Sequence, residues 1–286
     1  MSDSRIARVL LPAAGLALLI LLWHFYVVTF DVAPAVLPRP TLVLDATIAN
    51  WRLIVSEGWI TLLESLYGFI LAFVLGVPLA VAIAGSRTLN LMFYPLLIAT
   101  QSLPKVALAP LILVWLGTGI ESKLAIAWLV AFFPIVVDTA TGLRNTPAEF
   151  LDLATSVRAN AFQTFWKIRF PAALPFVISG SKVAITLAVI GAVIGEFIGG
   201  DTGLGQRILV ASGNQRTDLA FAAILMLSLL GILLSSLVST SAISAWSYQI
   251  QIVGCSDFRR HRGPHDGYET PDGVIPSWSS SPLVVH

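Results

Sequence analysis

The chain has 286 residues, of which 56% are hydrophobic and only 12% are charged, and its formal net charge is +1 at pH 7. Soluble domains typically carry about 25% charged residues, so this composition excludes an ordinary soluble protein and predicts extensive contact with lipid. The near-neutral charge gives no indication of a nucleic-acid partner. The single cysteine, Cys255, excludes an internal disulfide, and no spacing of Cys and His indicates a metal site.

Six apolar segments are long enough to cross a bilayer, which takes about 20 residues of α-helix. The alternating pattern of membrane β-strands is absent, so we expect an all-α, polytopic transmembrane bundle. The first segment is too long for the apolar region of a signal peptide and lacks a cleavage site, which favours a membrane anchor. The expected spans are Val9–Phe30, Ile60–Ala84, Leu91–Leu116, Lys123–Gly142, Leu174–Gly199 and Leu219–Thr240.

The spans divide the chain into three parts. Residues 1–59 form an N-terminal helix and an external connection, residues 60–250 form the membrane core, and residues 251–286 form a polar tail. The tail has too few apolar residues to bury a core, so we expect it to be disordered. Lys and Arg are modestly enriched on the side that holds the N-terminus. We therefore expect a multi-pass protein of the cytoplasmic (inner) membrane with both termini in the cytoplasm.

The connection between the fourth and fifth spans, residues 144–173, has the pattern of an amphipathic helix. Thr146, Pro147 and Glu149 predict its start, with Thr146 as the N-cap and Glu149 completing a capping box. Such a helix either lies in the headgroup layer or docks a soluble partner, and composition alone does not separate the two. Apolar residues recur at helical spacing along one face: Phe150, Leu153, Ala154, Val157, Ala161 and Phe165.

The same connection resembles the EAA loop of binding-protein-dependent ABC importer permeases. Asp152 and Ala154 stand at the Glu and second Ala positions, and Ile168 and Pro171 at the closing Ile and Pro. Arg158 replaces a family Gly that permits a tight bend, which predicts either a continuous helix or a differently shaped bend. The resemblance implies that this loop couples the chain to an ATPase through Glu149, Asp152, Ala154, Arg158, Ala159, Ile168 and Pro171.

Two further stretches, Ser102–Pro110 and Gly195–Gly205, are similar to the nitrate, sulfonate and taurine branch of these permeases. The resemblance implies a type I ABC importer (MetI-like) permease fold and a homodimer of two such chains. It also implies a cytoplasmic ABC ATPase subunit that binds ATP-Mg, and an extracytoplasmic substrate-binding protein. The expected substrate is a sulfonate-, taurine- or nitrate-like anion or a small heterocyclic vitamin precursor, and no cofactor is expected on this chain.

Polar residues inside the spans are candidates for a translocation pathway, because an ionisable group there costs about 2.5–3.5 kcal/mol on insertion scales. In the fifth span three of them share a helical face, and a stripe of small residues there predicts close packing. The alternative is that Lys182 and Glu196 reach opposite interfaces and that Lys105 only flanks a structural kink at Pro104. The candidate pathway residues are Gln101, Lys105, Lys182, Thr186 and Glu196.

No catalytic constellation is present in the sequence. The Gly-rich stretch Gly199–Gly205 lacks the Lys-Ser/Thr of a nucleotide-binding loop and is interpreted as an external turn. We therefore expect a transport subunit rather than an enzyme. An alternative is a secondary transporter driven by an ion gradient, which would need protonatable groups at mid-membrane and often shows inverted repeats. A membrane-anchored scaffold protein is a further alternative, but it would need a soluble module that we do not find.

Overall fold

The structure, a computed structural model, describes the backbone of residues 3–257 and the side chains of residues 10–240, and its regular elements in that part are helices. Within these described residues, five helices are long and apolar enough to span a membrane, and a bent pair of shorter helices passes the same test when the two are taken as one span. The helices are α1 (Asp3–Thr29), α2 (Pro40–Ala49), α3 (Trp51–Gly85), α4 (Arg87–Gln101), α5 (Ala109–Leu116), α6 (Ile120–Arg144), α7 (Ala148–Ser156), α8 (Ala161–Thr164), α9 (Phe170–Gly199), α10 (Leu204–Gly213) and α11 (Thr217–Asp257).

The expected all-α bundle is confirmed, with shifted boundaries. The external connection predicted before residue 60 contains α2 and the first turns of α3, so the boundary expected at residues 59 and 60 falls inside a helix. The tail predicted from residue 251 is helical to Asp257 as part of α11. The rest of that tail lies outside the described residues.

The centre of the bundle is formed by α3, α6 and α9. Glu64 and Ala80 on α3 lie beside Lys123 and Val136 on α6, so these two helices run in the same direction. The helix α9 runs the opposite way, because Gly191 packs on Ala127 whereas Gly180 packs on Asp138.

Small residues bring α9 close to α6. A side-chain carbon added at Gly191 would lie 2.7 Å from the Cα of Ala127, which is closer than any real contact. Ala184, Ala188 and Ala192 are fully buried on the same helix. The predicted stripe of small residues therefore does permit close helix packing.

The third apolar segment is not one straight helix. Helices α4 and α5 meet at an angle of 91°, with a short break after Gln101 and a single 3-10 turn at Lys105–Leu108 between them. Pro104 explains the break, because proline lacks the N–H of a helical residue and disfavours the helical conformation in the residue before it. Since α3 and α6 are parallel, the bent pair has to lead from the end of α3 back to the level at which α6 begins.

The bundle therefore has two ends. The loop end contains the connection 145–169 between α6 and α9. The network end contains the beginnings of α3 and α6, the end of α9 and the turn at residues 200–203. Helix α11 begins at the network end, where Phe221 packs on Trp23 of α1 and Thr217 donates a hydrogen bond to the carbonyl of Ala35.

Candidate functional site

A fully buried carboxylate, Glu196, lies near the end of α9. Its Oε1 accepts a hydrogen bond from the Thr61 hydroxyl at 2.6 Å, and its Oε2 accepts one from the N–H of Gly205 at 2.6 Å. Among the residues whose side chains are described, none forms an ion pair with it. Hydrogen bonds from α3 and from the start of α10 therefore compensate the desolvation of this carboxylate.

The turn between α9 and α10 is held by its backbone N–H groups. Gly203 donates to Glu57 Oε2 at 2.6 Å and Leu204 donates to Thr61 Oγ1 at 2.9 Å, next to the bond from Gly205. These are the N–H groups that the start of a helix leaves without a partner inside the helix. Gly203 has φ 106°, and a side-chain carbon there would overlap the Glu196 carboxylate, so this position requires glycine.

Two cations complete the cluster. Lys123 Nζ donates to Glu64 Oε1 at 2.9 Å and to the carbonyl of Thr202 at 3.1 Å, and the side chains of this ion pair are only 6% and 2% exposed. Arg207 donates through Nε to Glu57 Oε1 at 2.9 Å, and its second donor reaches the same oxygen. The polar network thus links α3, α6, α9 and α10 through Glu57, Thr61, Glu64, Lys123, Glu196 and Arg207.

The structure does not bring all five predicted pathway residues together. Glu196 belongs to the polar network. Lys182 and Thr186 are exposed and lie about three to four turns earlier in α9, nearer to the loop end. Lys105 lies 5.0 Å from the centre of the Phe133 ring at the break in the third span. Gln101, on the other side of that break, is exposed.

At the loop end, the predicted capping box is wrong. The helix α7 begins at Ala148 with Pro147 at the N-cap, and the Thr146 hydroxyl donates instead to the carbonyl of Leu143. Only residues 145–147 separate α6 from α7, so Thr146 closes the end of α6. The capping box of this region stands at the start of α8, where Asn160 and Gln163 bond to each other's backbone N–H groups.

The connection bends at Arg158. This residue has φ 53°, in the left-handed region, and it follows the end of α7 at Ser156. The N–H of Ala159 donates to the carbonyl of Ala154 at 2.9 Å, which closes the bend. Of the two shapes that the sequence left open, the structure excludes the continuous helix.

An apolar stripe on α7 and the bend has no cover within the described chain. Phe150, Leu153 and Val157 are 53%, 59% and 68% exposed, at helical spacing. Ala154 is 2% exposed and packs inward, so it belongs to the fold of the loop rather than to its outer surface. Glu149 and Asp152 are exposed beside the stripe.

The last part of the loop joins α8 to α9. Residues Phe165–Arg169 form a π-helical turn, in which Trp166 packs on Phe165 and Phe170. Ile168 and Pro171 are half-buried here. These two predicted coupling residues therefore lie where the loop re-enters the bundle, and Glu149 and Asp152 lie on its outer part.

Sequence reasoning missed most of the polar network. Glu57, Thr61 and Glu64 recur at the spacing of one helical face, which was the available signal, but the predicted start of the second span at Ile60 divided them between a connection and a span. Their partners on α6 and α10 are 59 or more residues away in sequence. Within the described residues, no group of three or more His, Cys, Asp or Glu side chains is placed to hold a metal ion.

Comparison with known proteins shows what the chain is similar to. Residues 72–241 match the family described as binding-protein-dependent transport system inner membrane component. A probable ABC transporter permease protein of Haemophilus influenzae is 34% identical over 220 residues, 77% of this chain and 90% of the relative. The formylaminopyrimidine transport permease protein ThiX of Halalkalibacterium halodurans is 36% identical, covering 70% of this chain and 80% of its own. The riboflavin transport system permease protein RibX of Chloroflexus aurantiacus is also 36% identical, covering 77% and 84%.

Permeases named for aliphatic sulfonates, taurine and nitrate match as well, at 28%, 27% and 24% identity. Among solved structures, a chain of the MetNI methionine ABC transporter in an inward-facing conformation superposes with a TM-score of 0.59 at 20% identity. The superposition covers 68% of this chain and 97% of the other. At that identity it establishes a shared fold.

Proposed function

Because the chain belongs to the family of binding-protein-dependent ABC importer permeases, we propose that it carries a small solute inward, driven by a separate ATPase subunit that docks at its loop end. The membership itself confirms the predicted family, and the relatives include permeases named for sulfonates, taurine and nitrate. The proposal concerns the partners, the orientation and the substrate.

The exposed apolar stripe on α7 carries the proposal. Exposed apolar side chains next to charged ones, on a short helix outside the membrane spans, are the pattern of a helix that lies in a partner's groove. Phe150, Leu153 and Val157 supply the apolar contacts, and Glu149 and Asp152 supply charges at the rim. The bend at Arg158 separates this surface from α8 and from the π-helical turn that leads into α9.

Docking of a cytoplasmic ATPase at this surface requires the loop end to lie in the cytoplasm. The network end then faces the outside, where a substrate-binding protein delivers the solute. ATP binding favours the arrangement in which two docked ATPase subunits are close together, so it shifts the population of the permease between its two conformations.

A second copy of the chain is proposed to cover the broken third span. The break after Gln101 leaves non-helical backbone at the depth of the spans, and such backbone is tolerated only against protein or a water-filled cavity. Gln101 and Lys105 lie at this break, and Lys182 and Thr186 are exposed on α9. These four residues are proposed to line the pathway between the two copies.

The relatives support a small heterocyclic compound as the substrate class. The permeases named for formylaminopyrimidine and riboflavin transport are 36% identical to this chain, against 24–28% for the permeases named for anions. An uptake assay with labelled compounds of both classes separates them. Competition by anions alone would overturn this assignment.

The docking proposal is tested by placing a charge on the apolar stripe. Leu153→Asp should reduce co-purification of the ATPase subunit at least about tenfold, since roughly 1.4 kcal/mol of lost contact is enough for that. The matched control is Thr155→Asp, an exposed residue on the opposite side of α7. Both variants should insert in the membrane at the parent level. Equal ATPase recovery with the two variants would contradict docking on this face.

A further inference from the structure

The polar network lies at the end of the bundle opposite the proposed docking surface, and nothing in the proposed function uses it. Burial of an ion pair such as Lys123–Glu64 is weak grounds for a role in stability, because well-packed apolar side chains of similar volume usually hold helices as well or better. A role in fixing one specific geometry is the better-supported use of buried charges, and it has to be tested for each protein.

The geometry shows what is being fixed. The turn at residues 200–203 exposes Asp201 and Thr202 and has few apolar side chains with which to anchor itself. Its contacts with the rest of the bundle are instead polar: the Thr202 carbonyl to Lys123 of α6, and the Gly203 N–H to Glu57 of α3. Removal of these hydrogen bonds would free the turn without removing any apolar core.

Helix α10 is positioned by the same side chains. Its first N–H groups point at Thr61 and Glu196, and Arg207 on its next turn is bound by Glu57. Acidic and hydroxyl oxygens at a helix N-terminus are favourable, because the free N–H groups there carry partial positive charge. Side chains of α3 and α9 therefore help to set the orientation of α10, together with the burial of its own Leu204.

We propose that the polar network is a positioning device. It keeps the α9–α10 turn and α10 fixed to α3 and α6, so that the network end of each subunit moves as one rigid body when the loop end is moved. Helix α6 reaches from Lys123 to the docking loop, and its 25 residues span about 37 Å at 1.5 Å per residue. This role rests on the proposed function, because it concerns how movement at the ATPase reaches the far end of the permease.

The experiment uses the assembled importer in proteoliposomes and the double variant Glu64→Met with Lys123→Met. Two methionines replace the ion pair by apolar side chains of comparable length, so the helix contact remains while the bond to Thr202 is lost. The substitution Leu204→Cys, at a fully buried position, reports opening of the turn to a hydrophilic thiol reagent in a Cys255→Ser background. The control is Arg216→Gln with Asp218→Asn, which removes an exposed ion pair near the start of α11.

The double variant should keep its ATPase subunit and its basal ATP hydrolysis, lose the stimulation by the binding protein, and expose the introduced thiol to the reagent. The control should behave as the parent. Full stimulation together with an unreactive thiol in the double variant would overturn the proposal. If the double variant does not assemble, Glu57→Gln provides the same readouts, since it weakens the bonds to Gly203 and Arg207 while Lys123–Glu64 remains. Failure of the parent permease to retain any ATPase subunit would instead refute the proposed function.

Discussion

The two ends of the bundle differ in which side chains they bury and which they leave exposed. At the network end, charged and hydroxyl groups are buried and bind one another across four helices, and Glu196 and Thr61 are fully enclosed. At the loop end, Phe150, Leu153 and Val157 remain more than half exposed, although they are apolar.

The difference shows which end is complete. A buried carboxylate is tolerated only with its hydrogen bonds made, and the described residues supply both oxygens of Glu57 and of Glu196 with partners, whereas the second oxygen of Glu64 has none. An exposed apolar stripe leaves hydrophobic surface in water, and its burial against a partner would be favourable. The network end is therefore specified largely by this chain, whereas the loop end leaves an apolar surface on which the proposed partner would dock.

The largest expected effect on stability is at the buried ion pair. Lys123→Met leaves the Glu64 carboxylate buried without its cation, which should cost about 3–5 kcal/mol. Thermal unfolding of the purified permease in detergent measures this as a lower midpoint. Addition of Glu64→Met should restore most of the loss. Identical midpoints for the single and double variants would mean that the pair contributes nothing specific.

A somewhat smaller loss is expected at the turn that the network holds. Gly203→Ala forces a side chain into a conformation that only glycine adopts readily, at about 1–3 kcal/mol, and pushes it against Glu196. Gly213→Ala is the matched control at the other end of α10, where a side-chain carbon meets nothing within 4 Å. Unfolding midpoints should fall for the first variant and not for the second. A midpoint that falls equally in both would indicate general sensitivity of α10.

At the loop end, the opposite substitution, from a non-glycine residue to glycine, is expected to be stabilising. Arg158 has φ 53°, a conformation that costs a non-glycine residue roughly 1–2 kcal/mol. Arg158→Gly should therefore stabilise the bend, partly offset by the greater freedom of glycine in the unfolded chain. Arg158→Val should weaken it, because branched side chains tolerate this conformation least. Limited proteolysis of the loop orders the three proteins, and slower cleavage of the Val variant would contradict the assigned bend.

The smallest effect on stability is expected on the exposed stripe. Leu153→Ser should change the free energy of unfolding of the isolated permease by no more than about 0.5 kcal/mol, as surface substitutions usually do. Ile185→Ala, at a core residue that is 1% exposed, should cost about 2–5 kcal/mol in the same assay. A large loss for Leu153→Ser would show that the stripe is covered within the chain and would remove the contrast between the two ends.

Much of the fold was accessible from the sequence because it depends on local patterns. The apolar runs predicted the spans, Pro104 predicted the interruption of the third, and Ala184, Ala188 and Ala192 predicted close packing on α9. The start of α7 was predicted wrongly because Thr146 can serve either of two helices. Its hydroxyl donates a hydrogen bond at the end of α6. Because the two helices are so close in sequence, the pattern alone does not show to which of them Thr146 belongs.

The polar network was not accessible in the same way. Glu57 stood in the predicted external connection and Glu64 inside the second predicted span, and only the three-dimensional fold shows that Arg207 and Lys123 face them. Helix α10 was missed as well, because its 10 residues follow a Gly-rich stretch that predicts a turn. Glu196 was recognised as unusual, but its partners on α3 could not be identified from the sequence of α9.

The broken third span has a consequence for how the chain enters the membrane. Helices α4 and α5 have 15 and 8 residues, so each is shorter than the roughly 20 residues needed to cross on its own. Their final positions depend on later sequence, because Tyr94 bonds to Thr141 and Ile112 packs on Ile126, both on α6. The bent pair therefore reaches its final position only once α6, which is made later, is in the membrane.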